Sequence, residues 1–215
     1  VPKKRTAADA SMGDGSGGKR IEIGDDIPDE ISQQDIKSML DQADDVHIEV
    51  MNEAALKRMV LQFQRKIKYN QDMRIKHADE PDKYMKSEVD LDEQVTRFTQ
   101  LATHPDLYGE FLKLDGLGPL VALLNHANTD VAVDVFQVIN ELTDPDVIAE
   151  VPEPDEFLKA LFEAQLPTMT VDCLLRINED QSEEDAQAVQ NCLSMIENLA
   201  DIDPLGTATQ FSQVS

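Results

Sequence analysis

The chain has 215 residues, with 19 basic against 43 acidic side chains, a formal net charge of −24 and a pI near 4.3. Such a balance repels nucleic acid and anionic membrane, so a direct partner held by charge is expected to be basic. No apolar run approaches the ~18–20 residues of a membrane-spanning helix, and the opening VPKKRTAADASMGDGSGGKR has no apolar core of the kind a secretory signal carries.

Residues 1–20 are Gly/Ser-rich and cannot bury enough surface to offset chain entropy, so the sequence predicts disorder there. Lys3, Lys4, Arg5, Lys19 and Arg20 read either as a two-part nuclear import signal or as an ordinary basic tail. Residues 21–54 carry 11 acidic side chains against the single Lys37, with an imperfect helical stripe, and read as a solvated linker. The sign then reverses. Residues 55–86 hold 9 basic and 4 acidic side chains, and Leu56, Met59, Val60, Phe63 and Ile67 fall at helical spacing. That spacing predicts an amphipathic helix from Ala55 to about Tyr69, with a charged outer face suited to capping a stack of repeats. Asn70 to Lys86, with Pro81 inside it, reads as loop with short turns.

From Ser87 the periodicity is steady. Asp90 or Asp92 is the candidate cap of a helix bearing Val95, Phe98 and Leu101, ended near His104-Pro105. Leu107–Leu112 reads as a short helix, followed by a Gly-x-Gly-Pro turn with Pro119 suited to a helix start. Val131, Val135, Val138, Ile139 and Leu142 then mark a longer helix, with Asn128, Thr129 or Asp130 as its cap. Pro145, Pro152 and Pro154 interrupt the pattern, and helices resume at about 154–164, 167–177 and 182–200. Ser182 with Asp185 resembles a capping box.

Three helix ends echo one another at Leu101-Ala102-Thr103, Leu142-Thr143-Asp144 and Leu199-Ala200-Asp201. Their leucines lie 41 and 57 residues apart. The first interval falls within the ~40–47 residue period of HEAT and armadillo units. The second implies an insertion in the proline-rich 145–154 connection. Short, middle and long helix recur in order, which favours the three-helix armadillo unit. The expected fold is all-α: an armadillo-type solenoid of about two to three repeats with an N-terminal capping helix and a disordered N-terminal tail. Expected boundaries are 1–54 for the tail, 55–86 for the capping helix and loop, 87–203 for the repeats and 204–215 for a frayed end.

Chemistry-bearing motifs do not emerge. His47, His77, His104 and His126 are scattered, and Cys173 and Cys192 each sit in an apolar helical pattern that suits buried free thiols. Neither a phosphate-binding loop nor a nucleophile elbow is present. No enzyme and no cofactor is expected.

The segments Leu56–Glu93, His104–Tyr108 (HPDLY), His126–Asp144 (HANTDVAVDV…ELTD) and Met195–Pro204 resemble the nuclear beta-catenin-like protein family. Residues Leu56–Glu93, which generic armadillo proteins lack, give the resemblance its specificity. Members carry a longer solenoid than this chain holds, so a truncated chain or short isoform is expected. The resemblance implies a non-enzymatic nuclear scaffold acting in pre-mRNA splicing within the spliceosome-associated nineteen complex. It implies partners with basic segments, such as the cell-division-cycle-five-like protein, and a cytidine deaminase of antibody diversification in vertebrates. Neither nucleic acid nor membrane is an expected direct partner, and a homo-oligomer is compatible. The alternative is an armadillo adaptor or receptor for basic nuclear localisation segments. Import receptors of that kind grip peptides with Trp and Asn ladders, but this chain has no Trp. Aligned on the third helices, the Trp positions hold Thr96, Gln137 and Ser194, and the Asn positions hold Gln100, Glu141 and Asn198. Asp130, Asp134, Glu141 and Asp144 are the candidate carboxylates for a basic partner, against the alternative of a merely solvated acidic face.

Overall fold

The helix predicted to end near Tyr69 runs on to Lys76, and a second follows after four residues. Helix α1 spans Glu53–Lys76, opened by Asn52, whose side chain accepts from the Ala55 amide at 3.0 Å. Helix α2 spans Pro81–Thr96. The expected loop at 70–86 is therefore reduced to a turn. Pro81 starts this helix rather than breaking it, because at the first position its missing N–H has no partner to lose. Asp90 and Asp92 accordingly lie inside α2 and cap nothing. The computed structural model describes residues 51–180 and 182–214. The tail expected to be disordered, the acidic lead-in through residue 50 and the basic runs at Lys3, Lys4, Arg5, Lys19 and Arg20 lie outside the described residues.

Helices α1 and α2 pack together along Leu56, Val60 and Phe63 on one side and Leu91 and Val95 on the other. Polar ties fix their register. Lys66 Nζ donates to the Asp90 carbonyl at 2.6 Å, Asn70 Nδ2 donates to Ser87 Oγ at 3.1 Å, and Arg74 pairs with Glu88 while lying over the Tyr84 ring. Beyond α2 the chain tightens into a 3-10 segment, Arg97–Thr103, which stops at His104-Pro105.

Two three-helix units follow. The first comprises α3 (Tyr108–Lys113), α4 (Leu117–Ala122, prolonged by a 3-10 turn at Leu123–Asn125) and α5 (Thr129–Leu142). A short helix, α6 (Pro145–Ile148), lies in the connection. The second unit comprises α7 (Pro154–Glu163), α8 (Leu166–Leu174) and α9 (Glu183–Ile202). The units share a backbone device between their first two helices: among the described residues, Asp115 (φ 53) and Gln165 (φ 62) are the two non-glycine residues in left-handed conformation. Beside Asp115, Gly116 has an ordinary φ of −86, yet a Cβ there would overlap the Phe111 ring. Close approach, not backbone freedom, requires glycine.

The connection that lengthens the second repeat interval is anchored, since Ile148 and Val151 are both buried. Residues 204–215, read as frayed, instead begin with helix α10 (Pro204–Ser212). Asp203 caps it by accepting from the Gly206 amide at 2.9 Å, Thr207 donates to the Leu199 carbonyl at 2.9 Å, and Phe211 packs on the core. Among the described residues there are no strands, and no helix is long and apolar enough to cross a membrane.

An aromatic chain runs through the core: Phe63 meets Phe98 edge-on at 5.0 Å, and Phe98 meets Phe111 at 5.3 Å. Farther along, Tyr108 stacks on Phe157 at 4.7 Å and donates its hydroxyl to the Leu142 carbonyl at 3.1 Å. These rings tie the first helix of each unit to its neighbours. The repeat-marking Leu101, Leu142 and Leu199 are all fully buried.

Candidate protein-binding surface

Helix α5 is the middle member of three third-position helices, packed against α2 on one side and α9 on the other. It starts at Asn128, whose Oδ1 accepts from the Asp130 amide at 3.0 Å. Val131, Val135, Val138, Ile139 and Leu142 face the core. The opposite face is polar. Asp130, Asp134, Gln137 and Glu141 recur at steps of four, three and four residues, which aligns them on one side of α5, while Asp144 lies just past the helix end at Leu142. From Asp130 to Glu141 that stripe is about 17 Å long.

Three of the four predicted carboxylates thus share a face, with Asp144 just beyond its end, and their circumstances differ. Asp130 is exposed in the first helical turn. Asp134 Oδ2 accepts from Thr96 Oγ1 of α2 at 2.6 Å. Glu141 Oε1 accepts from Gln137 Nε2 at 3.0 Å. Asp144 is exposed and caps α6 through the Asp146 amide at 2.9 Å.

The structure adds a fifth carboxylate. Asp92, on α2, lies against Asp134 and keeps its Oδ1 buried without a partner. Burial first, then the charge of Asp134, then Asp130 and Glu93, raise its carboxyl from 3.8 to about 6. A surface cleft of about 450 Å³ opens beside it, lined by Asp92, Glu93, Thr96, Arg97, Thr99 and Gln100. Sequence reasoning missed Asp92 because, with the helix start placed too late, it read as a cap. Its i, i+4 partner on the same face is Thr96, which gave no charge signal.

The ladder positions carry other tasks. Thr96 and Gln137 are committed to Asp134 and Glu141. Asn198 Nδ2 donates to the Asn140 carbonyl at 3.2 Å and to Asn140 Oδ1 at 3.1 Å, binding α9 to α5. It therefore serves repeat packing rather than facing a ligand backbone.

His126 is a packing hub. His126 Nε2 lies 3.0 Å from Asn70 Oδ1, and its Nδ1 accepts from the Asn128 amide at 3.1 Å. Because Asn70 Nδ2 already donates to Ser87, its Oδ1 faces the ring as an acceptor, which places the ring proton on Nε2. Burial lowers the pKa of His126, and the Arg74 and Arg176 charges add to that. Cys173 and Cys192 are buried free thiols; burial raises both, Cys192 to about 12. Among the described residues no group of three or more His, Cys, Asp or Glu is placed to hold a metal ion.

Repeated three-helix units around one core, with a polar stripe on the middle third helix, define an armadillo-type α-solenoid. The chain belongs to the family described as catenin-beta-like, Arm-motif containing nuclear, which matches residues 34–214. Human and bovine beta-catenin-like protein 1 are each 39% identical to it over 155 residues, covering 72% of this chain and 27% of theirs. The Schizosaccharomyces pombe beta-catenin-like protein 1 homolog is 36% identical over 151 residues, 69% of this chain and 26% of its own. The chain thus spans about a quarter of the length of these relatives.

Proposed function

We propose that this chain is a non-enzymatic protein-binding scaffold of the nucleus that works in pre-mRNA splicing, receiving basic segments of spliceosomal proteins on the α5 carboxylate stripe. The observation that carries the reading is the alignment of Asp130, Asp134 and Glu141 on one face of α5, with Asp144 just past its end and Asp92 held against Asp134 at its edge. Two carboxylates in contact are a standing electrostatic cost that an approaching guanidinium or ammonium would relieve. The wider charge agrees: residues 87–215 hold 26 acidic against 4 basic side chains. Membership of a nuclear Arm-motif family supports the compartment.

A transport receptor gripping extended import signals is the weaker reading. It needs a Trp and Asn ladder, whereas Thr96, Gln137 and Asn198 are engaged within the fold and the chain has no Trp. Affinity purification of the full chain from nuclear extract tests the splicing role. Recovery of nineteen-complex and other spliceosomal proteins is the expected result, with loss of that set when Asp130, Asp134, Glu141 and Asp144 are together changed to their amides. A recovered set without spliceosomal proteins contradicts it.

A further inference from the structure

Among the described residues the charge is not uniform, and the outer face of α1 is basic. Lys66 and Arg74 turn toward α2, where they meet the Asp90 carbonyl and Glu88. Lys57, Arg65, Lys68 and Lys76 remain exposed on the other side of the helix. Three large apolar side chains interrupt these cations: Leu61 is 44% exposed, Tyr69 54% and Ile75 80%. Leu61, Lys68 and Ile75 follow one another at intervals of seven, so they form nearly one line along the helix. Leu61 and Ile75 stand about 21 Å apart along that line.

Beside Ile75 lies a surface cleft of about 380 Å³. Ile75 forms one side of it; Ala122, Leu123 and Ala127 supply apolar wall on the other. Its size suits a single bulky apolar side chain entering next to Ile75.

We propose that this face docks an acidic amphipathic helix of a partner protein. Two aliphatic side chains of that helix, two heptads apart, meet Leu61 and Ile75, the second entering the cleft, while flanking carboxylates reach Lys57, Arg65, Lys68 and Lys76. Length favours a helix over an extended segment, because two contacts at heptad register along a straight α-helix are matched by the same register on the ligand. Charge favours an acidic ligand: the exposed basic side chains here outnumber the acidic Glu53 and Asp72. Acidic groups elsewhere in the chain are screened beyond about 8 Å at physiological salt, so the local sign governs docking. This surface lies on a different helix from the α5 stripe and selects ligands of the opposite charge.

The test is a fluorescence-anisotropy titration of the full chain with a fluorescein-labelled synthetic helix of about 21 residues, rich in Glu and Ala, with two leucines fourteen positions apart. Saturable binding is expected. It weakens about tenfold for the chain carrying Ile75→Ser, as expected for losing one buried aliphatic contact. A similar loss is expected for the Lys68→Glu/Lys76→Glu pair and for a probe with its leucines replaced by serine. Ile75 is exposed, so these variants keep their helical circular dichroism. Equal affinity for Ile75→Ser and the parent overturns the proposal, as does an absence of saturable binding. A labelled oligouridine that binds this face more tightly than the acidic helix also overturns it, in favour of RNA.

Discussion

Replacing Asp92 by Asn should make the protein more stable at neutral pH, although it removes a native side chain from the interface between α2 and α5. In the folded chain the Asp92 carboxyl is half-buried against Asp134, and its Oδ1 has no hydrogen-bond partner. Its pKa rises from 3.8 to about 6, chiefly through burial and then through Asp134. At 1.36 kcal/mol per tenfold change in proton affinity, that shift sets a ceiling of about 3 kcal/mol on the penalty of charging it. Part of Asp92 stays in solvent, where screening reduces such energies, so about 1 kcal/mol is the working figure. The folded-state pKa is raised, so the associated stability is fully present below 3.8 and is lost as pH rises through about 6. Asn carries no charge, and its amide can donate to Asp134. Urea unfolding followed by far-UV circular dichroism should place the midpoint of Asp92→Asn above the parent at pH 7.5, with an unchanged slope. At pH 5 about half of that advantage should be gone, because the parent carboxyl is by then protonated in the folded state. A variant less stable than the parent at pH 7.5, or one whose advantage is the same at both pH values, refutes the reasoning.

Three further outcomes follow from the packing. His126 is held below the ordinary 6.5, so its contribution is fully present above 6.5 and is lost as pH falls through 6.5 toward the folded value. Its ring proton, followed by NMR, should titrate below 6.5 in the folded protein, and a midpoint at or above 6.5 contradicts the hub. Tyr108→Phe removes the donor to the Leu142 carbonyl while keeping the ring against Phe157. It should cost about 1 kcal/mol in urea unfolding, and a neutral effect would show that the bond contributes nothing. Cys173 and Cys192 should react with an aromatic disulfide reagent only as the chain unfolds, because both are fully buried and their thiols are raised. Rapid reaction of either in the folded chain contradicts that placement.

The repeat architecture was legible because armadillo units leave periodic marks: Leu101, Leu142 and Leu199 recur at helix ends, and all three are buried. Ser182 and Asn128 were readable as caps, since short polar side chains before an apolar run have few other uses. The start of α2 was not legible. Pro81 reads as a breaker in sequence, and only the packing of Leu91 and Val95 against α1 shows it to be the first residue of a helix. That single displacement hid the contact between Asp92 and Asp134, because a capping side chain at a helix start is expected in solvent. The final helix was missed for a similar reason. Its apolar face is sparse, and Asp203 and Phe211 hold it through a cap and one core contact that no periodicity records. The stripe on α5 was readable from spacing alone, whereas the roles of Thr96 and Asn198 depend on which helices lie beside it.

The α5 stripe is proposed to receive basic segments through its carboxylates. Titrating the full chain with a fluorescein-labelled peptide rich in Lys and Arg, and repeating the titration at rising salt, addresses it most directly. Saturable binding that weakens with salt is expected, falling at least about tenfold when Asp130, Asp134, Glu141 and Asp144 become Asn, Asn, Gln and Asn, as loss of several charge-assisted contacts requires. Undiminished affinity in that variant, with its helical circular dichroism intact, would contradict it.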